Sequence, residues 1–435
     1  MTDLDRRVWW SARPRDLPQD GLGWKVISED SFQENERRIT GRHRLPGTVP
    51  DWAEDLWRLA RAVFLTDKYI RRTGEQDRWT RRISLSVPVT EPDRWETSKA
   101  TAHLASLLET LTGDVWQPSF RPLVGYEVEE ALPDSDRAGE VALFSGGLDS
   151  LSWAATRAIA DDVRPLLLVQ FREIGLLRLQ KGVYGSVTRL EKRARDVRLL
   201  PMSQTVKGDG TRLETSSRTR GLLYVAGAIR PAAAHGVPAV HVPENGQLAL
   251  NPPLTPARAA AWSTRSVHPW TLHHLNALTQ AVSGGEDTVQ VVNPLAKLTK
   301  GQVCATALAT ELAPADLEAT LSCGKPPTRR YKGPPFANCG VCFPCLIRRS
   351  GLLHANDSDR TPYETNPWAA DLPFDRAVDW RALQRWLHAP YGLPELLADT
   401  PLPPGADATT HLAVITSGRK ELKRLLRTGE GADAA

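Results

Sequence analysis

The stretch Val141-Ala142-Leu143-Phe144-Ser145-Gly146-Gly147-Leu148-Asp149-Ser150 joins an apolar run to a loop of small residues. Leu151 to Ala160 continues with good helix formers, so the pattern predicts a buried strand handing over to a helix through the loop. A helix start carries unpaired N–H groups, and two glycines let backbone approach a ligand with no Cβ in the way. Ser145 and Ser150 add hydroxyls. The combination suits a polyphosphate; the competing reading is a tight turn rich in small residues. Gly147 is not followed by Lys and Ser or Thr, which excludes the Walker arrangement.

Cys323, Cys339, Cys342 and Cys345 follow the spacing C-x15-C-x2-C-x2-C. Four thiolates suit a closed, tetrahedral and therefore structural zinc. An iron–sulfur cluster also takes four thiolates, and disulfides are the third reading, although the cysteine number, 5, is odd. Cys304 falls in an expected helix and reads as a small buried apolar residue.

With 435 residues the chain exceeds what one core usually serves. Residues 1–137 are expected to form an α+β N-terminal domain, with a boundary in the Pro/Asp/Ser-rich stretch Leu132 to Glu140. A domain over 138–312, a metal-binding segment over 313–355 and a helical extension over 356–435 complete the plan. In the first, Trp52 to Lys68 and Ser98 to Leu111 read as helices and Arg82 to Val89 as a strand. Its density of tryptophan is expected to complete a small core. In the second, strands at 163–171, 197–202 and 239–242 alternate with helices at 187–197 and 221–234, which implies an α/β fold with a parallel sheet covered on both faces. After residue 355, helices are expected at Ala377 to Leu387 and Glu421 to Arg427, with disorder from Gly429 to Ala435.

The formal charge of +4 is spread over 55 basic and 51 acidic residues, so a nucleic-acid partner is unsupported. Met1 to Trp10 is charged, and no apolar run approaches a membrane span, so the expected setting is cytoplasmic, without membrane.

Ligands of an open parallel sheet bind outside the carboxyl ends of its strands. The loops after Phe144, Phe171, Met202 and Val242 are therefore expected to surround one pocket. Glu244, Asn245 and Asn251 lie on the last of these and suit the edge of a purine-like ring, or equally serve as Asx turns. Arg218 and Arg220 precede a helix, where they meet phosphate or a carboxylate or mark a solvated helix start. Thr299 reads as an N-cap with Gln302 three positions on. Lys300, next to it, supports phosphates or is simply exposed.

The 145–150 loop resembles the PP-loop of the N-type ATP pyrophosphatases, which split ATP between its α and β phosphates. With Leu298 to Val303, Ser322-Cys323, Cys339-Gly340-Val341-Cys342-Phe343-Pro344-Cys345 and Arg348, it resembles the QueC, or 7-cyano-7-deazaguanine synthase, family over roughly residues 140–350. The resemblance implies a HUP-like PP-loop domain with a zinc knuckle. Leu143, Phe144, Ser145, Gly146, Gly147, Leu148, Asp149 and Ser150 would hold ATP, and Ser145, Asp149 and Lys300 would be catalytic. Arg220, Glu244, Asn245 and Asn251 would meet the substrate, and the four cysteines a Zn²⁺. Mg²⁺ would lie across the phosphates, with Asp149 on the metal or bracing the loop. The implied activity is ATP-dependent C–N ligation: a 7-carboxy-7-deazaguanine-like carboxylate is adenylated, attacked by ammonia and dehydrated to a nitrile with a second ATP.

The chain departs from that family in its long N-terminal part and in the absence of a Gly-Gln-Arg-His stretch, where Gln170-Phe171-Arg172-Glu173-Ile174 stands instead. Long proteins of this layout are similar to those of bacterial anti-phage loci of the Qat type, which implies a protein amine as an acceptor and a defence-complex subunit as partner; a homodimer is a separate expectation. A PP-loop tRNA-modifying enzyme and a catalytically inactive nucleotide-binding subunit are the alternatives.

Overall fold

The architecture is that of a computed structural model, which describes residues 6–13, 16–20, 23–33, 45–125, 137–208, 210–255, 265–285, 287–324, 337–374 and 377–430. Most of the expected boundary stretch, Leu132 to Glu140, and most of the Gly429 to Ala435 tail lie outside the described residues.

The N-terminal part runs β1 (Arg6–Ser11), β2 (Lys25–Ser28), α1 (Asp51–Tyr69), β3 (Arg82–Val89), α2 (Ser98–Thr112) and β4 (Val115–Pro122). Its four strands pair wholly in parallel in the order β2-β1-β3-β4. This corrects the α+β expectation to α/β. The reason lies in the connections: α1 and α2 are crossovers, each returning the next strand in the same direction. Thr97 caps α2, its side chain accepting from Ala100 N, and Gly113 ends that helix in the left-handed region.

The second unit contains β5 (Glu140–Leu143), α3 (Leu148–Ala158), β6 (Leu166–Phe171), α4 (Leu177–Thr188), β7 (Val197–Met202), α5 (Arg220–His235), β8 (Ala239–His241), α6 (Gly246–Leu250), α7 (Pro269–Ser283), β9 (Gln290–Val292) and α8 (Lys300–Leu308). The five strands are parallel, in the order β7-β6-β5-β8-β9. From β5 the chain first builds outward through β6 and β7, then returns to the other side of β5 with β8. The β5–β8 border is thus the switch point, where the loops leaving two neighbouring strands diverge and leave a crevice.

The expected helix at 187–197 is corrected. Helix α4 ends at Thr188, and its apolar residues Val183 and Val187 lie upstream of the basic run. The run itself turns, because Arg195 is drawn under the sheet to Glu140 and to the Arg164 carbonyl at 2.9 Å.

The two sheets share one core. Helix α1 lies against α5, and α2 against α7, so a hydrophobic cluster runs unbroken from Val8 and Trp57 to Phe171 and Val291. Close approach depends on Gly227, where a Cβ would meet Phe171 at 2.7 Å and Trp57 at 3.0 Å. A second cluster, with Leu151, Val187 and Val303, covers the opposite face of the second sheet. The chain closes with α9 (Phe343–Asn356), α10 (Val378–His388), α11 (Leu393–Asp399) and α12 (Ala408–Glu430); α12 packs on α6, α9 and α11. No described helix is long and apolar enough to cross a membrane.

Charges are buried at the junction of the N-terminal elements. Asp114, fully buried, accepts from Arg72 at 2.8 Å through both of its oxygens, and from Arg81, whose side chain is also fully buried. Arg81 continues to Asp67 at 2.7 Å. Each guanidinium is paired with a buried carboxylate, and taking that carboxylate away strands a buried charge. Asp114→Ala is expected to lower unfolding free energy in urea by about 3–5 kcal/mol, and a loss below about 0.5 kcal/mol, typical of exposed sites, would refute this account of the junction.

Candidate active site

At the end of β5 the backbone turns through Gly146, whose φ of +79° belongs to the left-handed region that glycine adopts freely. Helix α3 then opens at Gly147 with no side-chain cap, which leaves its first N–H groups for an acceptor from outside. Ser145 Oγ accepts from Gly147 N at 3.1 Å and lies 3.2 Å from Ser150 Oγ, so the two hydroxyls brace the turn. From α4, the buried Gln180 donates to the carbonyls of Ser145 at 3.3 Å and Phe171 at 3.1 Å. It fixes the loop to the neighbouring strand end.

A cavity of about 360 Å³ adjoins this loop. Ser145, Gly146, Gly147 and Ser150 form one end; Phe171, Glu173, Arg220, Tyr224 and Glu244 continue the wall, and Ser322 and Cys323 close it. Loops after Phe144, Phe171 and Val242 therefore meet there as expected. Among the described residues, none of the loop after Met202 lines the cavity, although Gln204 accepts from the lining Tyr224 Oη at 2.7 Å. Tyr224 stacks on Phe171 with ring centroids 4.2 Å apart, an apolar surface suited to a flat ring.

Asp149 and Lys300 face each other. Asp149 is buried and accepts from Lys300 Nζ at 2.7 Å on both oxygens; Lys300 is 1% exposed. This corrects the reading of Lys300 as simply exposed, because a buried amine needs a polar partner at contact. Of the two roles expected for Asp149 the geometry shows bracing. Leu148 is likewise buried away from the cavity.

Asn245 is fully buried. Its Nδ2 donates to Asp149 and to Glu244, each at 3.0 Å, and its Oδ1 caps α6 by accepting from Leu248 N at 3.2 Å. Asn251 ends α6 at φ +43° and does not line the cavity. Arg218 turns away to the Thr112 carbonyl at 2.9 Å. Of the four residues expected to meet substrate, Arg220 and Glu244 reach the cavity.

Burial, then the neighbouring charge of Asp149, raises the Glu244 carboxyl well above the usual range, and Glu244 hydrogen-bonds Asp149. Burial acts on Asp149 in the same sense, but Lys300 and these hydrogen bonds outweigh it and hold its carboxyl low. Thr299 caps α8 with Gln302 as expected, and Lys300 N donates to Gln247 at 2.9 Å. Buried Glu421, from α12, accepts from Thr299 Oγ1 and from Gly301 N at 3.1 Å.

Sequence reasoning missed Gln180, Tyr224, Glu421 and Asn293, whose amide exchanges bonds of 3.1 and 2.7 Å with the Glu244 backbone. Only Asn293, beside Pro294 at the end of the last strand, carried a local signal.

The four cysteines converge. Their sulfurs all lie within 4.8 Å of one another, with Cys339–Cys345 at 3.9 Å and Cys323–Cys342 at 4.0 Å. Thiolates about 2.3 Å from one tetrahedral ion stand about 3.8 Å apart, so the set fits zinc; a disulfide needs about 2.05 Å, and a multi-iron cluster spreads its ligands wider. Cys342 N donates to Cys339 Sγ at 3.4 Å. Arg348, fully buried, ties α9 to the segment before Cys323 by donating to Thr320 at 2.6 Å and to the Leu317 carbonyl at 2.8 Å. Cys304 is fully buried, and burial pushes its thiol up to about 12.

Two outcomes follow. Because the folded-state pKa of Glu244 is raised, its contribution to stability is complete below the unfolded value and is lost as pH rises through the folded one. The fall in thermal stability as pH rises above the ordinary glutamate range is therefore expected to flatten in Glu244→Gln, and an unaltered fall would exclude Glu244 as its source. Elemental analysis is expected to find near one zinc per chain and its loss in Cys342→Ser; full retention by that variant would reject the four-thiolate assignment.

Residues 270–356 match the family described as queuosine biosynthesis protein QueC. The match runs from α7 through β9 and Lys300 to the four cysteines and the end of α9. No curated protein matches the chain. Among solved structures, the crystal structure of a ketoreductase domain from the bacillaene assembly line aligns at 9% identity over 66% of this chain and 80% of that one, with a TM-score of 0.23. An overlay so loose carries nothing about fold or activity. On the segment that bears Lys300 and the cysteines, the chain is similar to the QueC family.

Proposed function

We propose that the chain uses ATP to adenylate the carboxylate of a 7-deazapurine of the 7-carboxy-7-deazaguanine kind and passes the acyl group to ammonia or a protein amine. The observation that carries this reading is one cavity walled by the Ser145–Ser150 loop, an exposed arginine and an aromatic stack. Its volume, about 360 Å³, lies in the range of small-molecule sites.

A carboxylate is a poor acyl donor because oxide would have to leave. Its oxygen attacks the α phosphorus of ATP, the bond to the bridging oxygen breaks, and pyrophosphate departs with the electron pair. Growing charge on that group meets the first N–H groups of α3 and the Ser145 and Ser150 hydroxyls, which are already in place. The acceptor nitrogen then attacks the acyl carbon, AMP leaves with the electron pair, and the nitrogen gives up a proton. Asp149 is committed to Lys300, so it does not fit as a Mg²⁺ ligand. Within the cavity, Arg220 faces the acid and Phe171 with Tyr224 offers the ring a face. Cys304 is buried and the other cysteines face one another, which weighs against a thiol-dependent tRNA-modifying reaction.

Exchange of labelled pyrophosphate into ATP tests the reading. Exchange is expected to require 7-carboxy-7-deazaguanine and to fall by about 10²-fold or more in Gly146→Val, comparable to loss of a preorganised anion hole. Exchange indifferent to the acid, or absent from the zinc-loaded wild type, would overturn it.

A further inference from the structure

No described residue before Leu143 lines the cavity, yet the N-terminal unit holds one of its walls. Between β7 and α5 the chain passes through residues 210–219 without a strand or helix, and α1 fastens this connection. Lys68 Nζ donates to the Glu214 carbonyl, to the Ser216 carbonyl at 3.1 Å and to Ser217 Oγ at 3.2 Å. Glu214 answers from the other side, accepting from Arg72 N at 3.0 Å while it also accepts from Ser216 N at 3.0 Å. Asp67, fully buried, accepts from Thr219 N at 3.2 Å and Thr219 Oγ1 at 3.0 Å.

The arginines flanking Thr219 part company. Arg218 lies over the Trp79 ring, 4.5 Å from its centroid, and is committed to the N-terminal unit. Arg220, the first residue of α5, is exposed and lines the cavity. Its backbone directly follows the residue that Asp67 grips. Holding the backbone of a flexible cation before binding removes part of the ordering cost and sets the position of its planar fork, and misplacement by about 1 Å is costly for a bound group.

We propose that the N-terminal unit is the selectivity platform of this pocket: α1 holds residues 214–219 so that Arg220 receives the anionic group of an aromatic acid lying on the Phe171–Tyr224 stack. The class of acid rests on the reading given above; the hold itself does not.

The test uses the full chain. Asp67→Asn disturbs the buried Arg81 network as well, so Lys68→Met is the deciding variant. Calorimetry is expected to show Lys68→Met binding 7-carboxy-7-deazaguanine about tenfold more weakly, the scale of one charged contact. ATP, and 7-deazaguanine without the carboxylate, should bind both proteins alike. Arg220→Gln should lose a similar factor, and the double variant little more, since both changes act on one contact. Amide exchange over 214–222 should quicken in Lys68→Met. Unchanged exchange, or affinity for the acid unchanged in Lys68→Met, overturns the platform. A wild-type chain that binds ATP but not the acid refutes the substrate class instead, and amide exchange then decides the platform alone.

Discussion

The buried pair of Asp149 and Lys300 is the constraint on which the site depends. It joins the first turn of α3, at the end of β5, to the first residue of α8, after β9. Asn245, after β8, completes the join through the same carboxylate. Three segments far apart in sequence are thereby fixed at the switch point of the sheet. A buried ion pair adds little net stability, but removing either partner leaves a charge without solvent; its value here is geometric, since the loop that would meet phosphates cannot shift while its helix is tied from behind. Glu244 belongs to the same cluster, where burial and the neighbouring charge of Asp149 raise its carboxyl well above the usual range.

The pocket is also a product of distant parts of the chain. Glu421 of α12 accepts at the start of α8, and so steadies Lys300 from the C-terminal extension. The four-cysteine segment contributes a wall as well, since Ser322 and Cys323 line the cavity and Arg348 locks the preceding turn. From the opposite end, α1 reaches the connection that leads to Arg220. N-terminal and central sheets share one core, so these contacts rest on a rigid base rather than on a surface encounter.

Much of this was legible because it is local. A continuous apolar strand, a loop of small residues and a helix can be read at Val141 to Ala160, since period and glycine placement are properties of neighbours. The cysteine spacing and the Thr299–Gln302 cap are of the same kind. Parallel pairing in the N-terminal unit was not legible, because it depends on where two crossover helices return the chain. Nor were the roles of Lys300, Asn245 and Gln180: a lysine at a helix start looks exposed until the carboxylate 151 positions earlier folds against it. The basic run at Arg189 to Arg198 misled for a related reason, since Arg195 is buried by a partner, Glu140, in another strand.

The most direct measurement is a structure of the full chain soaked with an ATP analogue whose α–β bridge is methylene. The account predicts the β and γ phosphates within hydrogen-bond distance of the backbone N–H groups of Gly147 to Ser150, with the α phosphate turned toward the face of the cavity shared by Arg220 and Tyr224. A nucleotide bound elsewhere, with the 145–150 loop closed to it, would contradict that account.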